Sequence, residues 1–84
     1  MDIPKILSVH PLESKELLVK FMNGAEKIYD CKQLLQLEAF QLLNNEAFFE
    51  VVQVDTGGYG ISWNDGVDLS EYELWTNGVG LVLA

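Results

Sequence analysis

Residues 49–69, FEVVQVDTGGYGISWNDGVDL, alternate apolar and polar side chains on either side of a Gly-Gly pair, then meet a second turn signal at Asn64-Asp65-Gly66. Period-two alternation puts every second side chain on one face of a strand, so the stretch reads as two strands joined at Gly57-Gly58 and buried on one face. Val52 and Val54 carry the first strand, while Tyr59, Ile61 and Trp63 carry the second, with Gly60 and Ser62 between them. Trp63 is the expected centre of the core. None of these side chains makes a nucleophile, a general base or a metal-ligand set, so the stretch defines an architecture without a chemistry.

The rest of the chain has just enough material to cover such a hairpin. With 84 residues, 49% of them apolar, the expectation is one domain spanning residues 1–84, near the size at which a single core suffices without disulfides or metal. The lone Cys31 cannot form an internal disulfide, and the opening MDIPKILSV has neither the basic start nor the cleavage site of a signal peptide. A reducing cytoplasm is the expected location. The apolar run at residues 79–84 is far shorter than the roughly 20 residues that a membrane-spanning helix requires. No membrane association is expected.

Thirteen acidic residues against five basic ones give a formal charge of −8. There is no Arg, and Lys5, Lys15, Lys20, Lys27 and Lys32 are scattered, which disfavours binding to nucleic-acid phosphates. The charge then has two readings, a solubility device or electrostatic complementarity to a basic partner.

In chain order, residues 3–12 read as an opening strand at a sheet edge, because Pro11 cannot donate a ladder hydrogen bond. Residues 13–15 are a polar turn, and residues 16–22 alternate with Leu17, Val19 and Phe21 toward the core. Asn23-Gly24 marks a hairpin, and residues 25–30 are the returning strand. A strict two-residue loop would set Lys20 opposite Lys27, an unfavourable like-charge pair, so a loop one residue longer also fits.

Asp30, with Gln33 and a Tyr29/Leu34 staple, is a helix-start signature. A helix is expected from Cys31, but Leu34, Leu35, Leu37, Ala39, Phe40, Leu42 and Leu43 spread around more than half its circumference. It is either buried on several sides or broken near Leu37–Glu38. Asn44-Asn45 ends it, with Asn45 able to cap one further turn through Phe48 and Phe49. Beyond Trp63, Gly66 is available for a positive φ, residues 67–69 are extended, and Ser70 with Glu73 fits a capping box flanked by Leu69 and Leu74. A short helix over residues 71–76 should end at Asn77-Gly78 in a left-handed cap. GLVLA is left to pack back or to pair with another chain. These elements make an α+β fold: a small antiparallel sheet of about five strands, one main helix packed on it, and a short C-terminal helix.

Asp65, Asp68, Glu71 and Glu73 cluster within nine residues, but not at EF-hand spacing. Turn and cap duties account for Asp65 and Glu73, and no metal or cofactor is expected. Gly57–Gly60 is no phosphate loop, since no Lys follows and no helix stands behind it. His10 and Cys31 are each alone of their kind. Cys31 at a helix start could carry a lowered thiol pKa, against the plainer reading of a tucked-in side chain. Tyr59, Trp63, Tyr72 and Trp75 could form an aromatic patch, with Tyr72 and Trp75 the better surface candidates.

Phe21-x-Asn23-Gly24 with Asp30, then Phe40, Leu43, Phe48, Asp55, Gly60-Ile61-x-Trp63, Gly66 and Asp68-Leu69 together resemble the bacterial domain of unknown function 2442 family. This chain has Asn64 where the family commonly has proline after the tryptophan, and its length leaves no room for the helix-turn-helix that some members append. The resemblance implies an α+β fold with an antiparallel sheet, no established catalytic residues, and an antitoxin-like or accessory role beside small toxin-like genes.

Two function classes follow. The first is a non-catalytic interaction module binding a basic protein, or a second copy of itself through an edge strand or the tail, with Asp65, Asp68, Glu71, Tyr72 and Trp75 as the candidate contact residues. The second is a small enzyme or ligand-binding domain using surface carboxylates, with Asp55 and Asp68 as the acids.

Overall fold

The computed structural model describes residues 2–81. The first sheet is built in the order β1 (Ile6–Pro11), β2 (Glu16–Phe21), β3 (Glu26–Asp30), β7 (Val79–Gly80) and the second in the order β4 (Gln53–Val54), β5 (Gly60–Asn64), β6 (Val67–Ser70), with every pairing antiparallel. The fold is α+β as expected, but the strands divide between two sheets instead of forming one of about five. β1 (Ile6–Pro11) pairs with β2 (Glu16–Phe21) and forms one edge of its sheet, its last residue being the proline that stops it. Leu17, Val19 and Phe21 of β2 are buried, as their alternation demands.

The hairpin from β2 to β3 (Glu26–Asp30) takes the longer loop. Val19 faces Lys27 and Lys20 faces Glu26, so the two lysines do not meet. Gly24 N donates to Phe21 O at 3.0 Å and Phe21 N to Ala25 O at 2.8 Å, with Gly24 alone in this loop at positive φ, +93°. This is a tight turn followed by a glycine bulge, in place of a two-residue type I′ turn.

The expected main helix is absent. Residues 31–44 form two 3-10 segments, Lys32–Gln36 and Glu38–Asn44, separated at Leu37 in an extended conformation (φ −92°, ψ 132°). A continuous α-helix would have pointed this leucine-rich sequence in all directions while only one side faced the sheet. The break lets Leu34 and Leu43 both reach the core, at the cost of exposing Leu37 and Leu42. Asp30 still serves the start: its Oδ1 accepts from Lys32 N at 2.8 Å. That amide is the main cause holding the Asp30 carboxyl below its ordinary pKa.

Asn45 caps α1 (Glu46–Phe49), its side chain accepting from Phe48 N at 3.0 Å. Phe49 therefore belongs to a helical turn, and the strand that the sequence suggested from that point shrinks to β4 (Gln53–Val54). The turn Thr56–Gly58, with positive φ at Gly57 and Gly58, leads to β5 (Gly60–Asn64), and a two-residue turn leads on to β6 (Val67–Ser70). Gly66 has no positive φ. Its N–H instead donates to Asn64 Oδ1 at 2.8 Å.

Trp63 lies in the core as expected, 7% exposed, stacked on Phe49 with centroids 6.1 Å apart. Its indole N–H donates to Phe49 O at 2.9 Å. Tyr59 escapes the alternation because it precedes β5, and it is 61% exposed. α2 (Glu71–Asn77) follows, with Ser70 accepting from Glu73 N at 3.1 Å and Leu74 fully buried. Its end is not left-handed: Gly78 is extended (φ −73°, ψ 150°), and a side chain there would meet Leu74 O at 2.5 Å. β7 (Val79–Gly80) then pairs with β3, and Leu81 N donates to Glu26 O at 3.0 Å. This part of the C-terminal run packs back, while residues 82–84 lie outside the described residues.

Candidate functional site

The candidate contact residues fall on the β5–β6 turn, β6 and α2. Asp65 is exposed at the turn, where the Asn64 side chain holds Gly66 N. Asp68 is exposed opposite Ser62, because Val67 and Leu69 on either side of it are buried and alternation turns it outward. Tyr72 is 61% exposed on the first turn of α2. All three side chains are exposed, on the β5–β6 turn, β6 and α2 in turn.

Glu71 and Trp75 do not join them as free surface groups. Glu71 was expected to be exposed, yet its side chain is 19% exposed and its Oε2 lies 3.1 Å from Lys5 Nζ. That oxygen is shielded from water without an aligned hydrogen bond, so the ammonium beside it supplies the compensation that a buried charge requires. Lys5 Nζ also sits 4.2 Å from the Tyr59 ring centroid, and Glu71 N donates to Tyr59 O at 3.0 Å. The cluster Lys5, Tyr59 and Glu71 ties the start of the chain to α2. Trp75 is half-buried, edge-on to Phe21 at 5.0 Å, and covered by Lys27 Nζ at 3.8 Å from its ring centroid. Lys27 also donates to Trp75 O.

Two further acids, Glu73 and Asp55, are engaged by neutral donors. Glu73 completes only half of a capping box, because its Oε2 accepts from Tyr29 Oη and Asn77 Nδ2, both at 2.8 Å, and not from Ser70 N. Burial and this carboxylate together raise the Tyr29 phenol pKa well above the ordinary range. Asp55 Oδ1 accepts from Ser62 Oγ at 2.6 Å, pinning the turn between β4 and β5. Cys31 is fully buried, and that burial pushes its thiol up to about 12 from 9.0, with Asp30 adding to the shift. It is therefore a core side chain at neutral pH, since a nucleophilic cysteine needs its thiolate. His10 is exposed on β1.

Sequence reasoning missed Lys15. It carries a positive φ of 60°, yet its side chain is only 11% exposed, pairing with Glu46 and lying 5.3 Å from the Phe49 ring centroid. No local signal identifies a lysine that reaches 31 residues ahead. Among the described residues no three His, Cys, Asp or Glu side chains gather as metal ligands would, no pocket opens, and no helix is long and apolar enough to cross a membrane.

No curated protein and no solved structure matches the chain. The family model described as "Protein of unknown function (DUF2442)" matches residues 6–80, from the first residue of β1 to the last of β7, and the chain belongs to that family.

Proposed function

We propose that this protein is a non-catalytic, cytoplasmic interaction module whose contact face is the stretch Asp65, Asp68 and Tyr72, and whose partner is a small basic protein, in an antitoxin-like or accessory role. The observation that carries the reading is Tyr72, an aromatic side chain 61% exposed in the same C-terminal segment as the exposed Asp65 and Asp68. Exposed aromatics supply binding energy at interfaces, and surrounding like charges select and steer an oppositely charged partner. Glu71, Glu46, Asp30 and Glu16 all have lysine neighbours, whereas Asp65 and Asp68 have none among the described residues. A carboxylate enzyme finds less support, since of its two acids Asp55 is engaged in accepting the Ser62 hydroxyl and Asp68 stands exposed on β6.

The test is capture of the partner on immobilised protein, followed by association kinetics of Asp65→Lys/Asp68→Lys and of Tyr72→Ala. Glu71 is left alone because its reversal would break the Lys5 pair. The double variant should associate more slowly at low salt and approach the wild-type rate near 1 M, where the screening length falls to about 3 Å. Equal association at low ionic strength would remove the acidic face from the binding surface.

A further inference from the structure

The chain contains two Asn-Gly pairs, Asn23-Gly24 and Asn77-Gly78, and both are chemically competent for intramolecular loss of ammonia. In that reaction the backbone nitrogen of the glycine, having lost its proton to water, attacks the asparagine Cγ. The new C–N bond makes a tetrahedral oxyanion, which collapses with cleavage of Cγ–Nδ2 as water returns a proton to that nitrogen and ammonia leaves. Water then opens the cyclic imide at either carbonyl, leaving aspartate or isoaspartate. The net change consumes one water and adds one negative charge.

The fold gives the two asparagine side chains different partners. At the β2–β3 turn, Asn23 is exposed, and its Oδ1 accepts from Ala25 N at 2.9 Å. This bond folds the side chain over the Gly24 peptide and places a donor on the oxygen where charge develops during attack. At the end of α2, Asn77 Nδ2 instead donates to Glu73 Oε2 at 2.8 Å, drawing the side chain back along the helix. The two attacking nitrogens are held alike, Gly78 N donating to Leu74 O and Gly24 N to Phe21 O, both at 3.0 Å, so the contrast lies in the side chains: the Asn77 amide is tethered to Glu73, whereas among the described residues no acceptor holds the Asn23 amide.

We propose that Asn23 is the spontaneous deamidation site of the folded protein and that Asn77 is protected by the fold. The isoaspartate product adds a methylene to the main chain at the tip of the β2–β3 hairpin, so the modification acts on the turn that sets the register of the first sheet.

The experiment incubates the native protein at mildly alkaline pH and follows both sites by peptide mass spectrometry, with a parallel incubation in urea. In the folded protein, conversion at Asn23 should outrun Asn77 by about tenfold or more, the effect of a single well-placed donor at Asn23 against a tethered amide at Asn77. In urea the two rates should converge, since both sites are then flexible Asn-Gly pairs. Asn77 keeping pace in the native protein, no conversion at Asn23, or an Asn23 preference that survives unchanged in urea would each overturn the assignment.

Discussion

Replacing Trp63 separates the two things its indole does. The ring stacks on Phe49 inside the core, and its N–H satisfies Phe49 O at 2.9 Å. Trp63→Ala removes both, and truncation of a buried aromatic costs about 3–5 kcal/mol. For a domain of 84 residues, total stability is roughly 4–13 kcal/mol, so this variant should be largely unfolded at the lower end of that range. Trp63→Phe keeps an aromatic ring against Phe49 but leaves the buried carbonyl without a donor, which costs about 1–3 kcal/mol. At roughly 4–8 °C per kcal/mol for a domain this small, Trp63→Phe should lower Tm by about 4 °C at the least. The assay is far-ultraviolet circular dichroism of thermal unfolding for Tm and of urea unfolding for the free energy, with the denaturant slope checked for constancy. Trp75→Phe is the control: half-buried, and with no acceptor for its indole N–H among the described residues, it should cost less than Trp63→Phe. Trp63→Ala melting within a few degrees of wild type would move the indole out of the core, and with it the argument that the β4–β6 sheet is organised around this residue.

Gly24→Val should lower stability by about 1–3 kcal/mol through backbone strain alone, because φ is +93° while a Cβ there meets no neighbour; an unchanged urea midpoint would remove the glycine-bulge assignment. Ser14, at φ 61° and ψ 31°, is expected to gain up to about 1 kcal/mol on replacement by glycine, the relief of a left-handed L-residue less the entropy glycine brings to the unfolded chain. Lys15→Gly relieves a similar strain but should be net destabilising, since it also loses the Glu46 pair and the contact with the Phe49 ring; thermal melts of the two variants should therefore shift in opposite directions. Cys31 should resist a thiol reagent at pH 8 in the native state and react on unfolding. Because its pKa rises on folding from 9.0 to about 12, the folded state holds a proton that the unfolded state gives up, so this contribution is present below pH 9 and is lost as pH rises from 9 toward 12. Urea midpoints that rise across that interval in wild type relative to Cys31→Ala would contradict it.

The sequence by itself determined the local elements whose causes lie within a few residues. Alternation buried Leu17, Val19, Phe21 and Trp63; Asn45 and Ser70 capped the helical turns that follow them; Pro11 ended an edge strand; and like charge at Lys20 and Lys27 pointed to the longer hairpin loop. Tertiary structure decided whatever depended on partners distant in sequence. The leucines of residues 31–44 had no single face to offer, and only the position of the sheet chose a break at Leu37 over a helix. Glu73 had the right spacing for a reciprocal cap, but Tyr29, 44 residues away, took its carboxylate; Glu71 looked like a surface charge until Lys5 was folded beside it. Gly78 carried the sequence mark of a left-handed cap, yet what the fold demanded there was close approach to Leu74 O. In each case backbone preference set a small menu, and burial together with long-range charge pairing selected from it, because desolvating a charge or leaving an apolar face uncovered costs more than the conformational preferences that local sequence encodes.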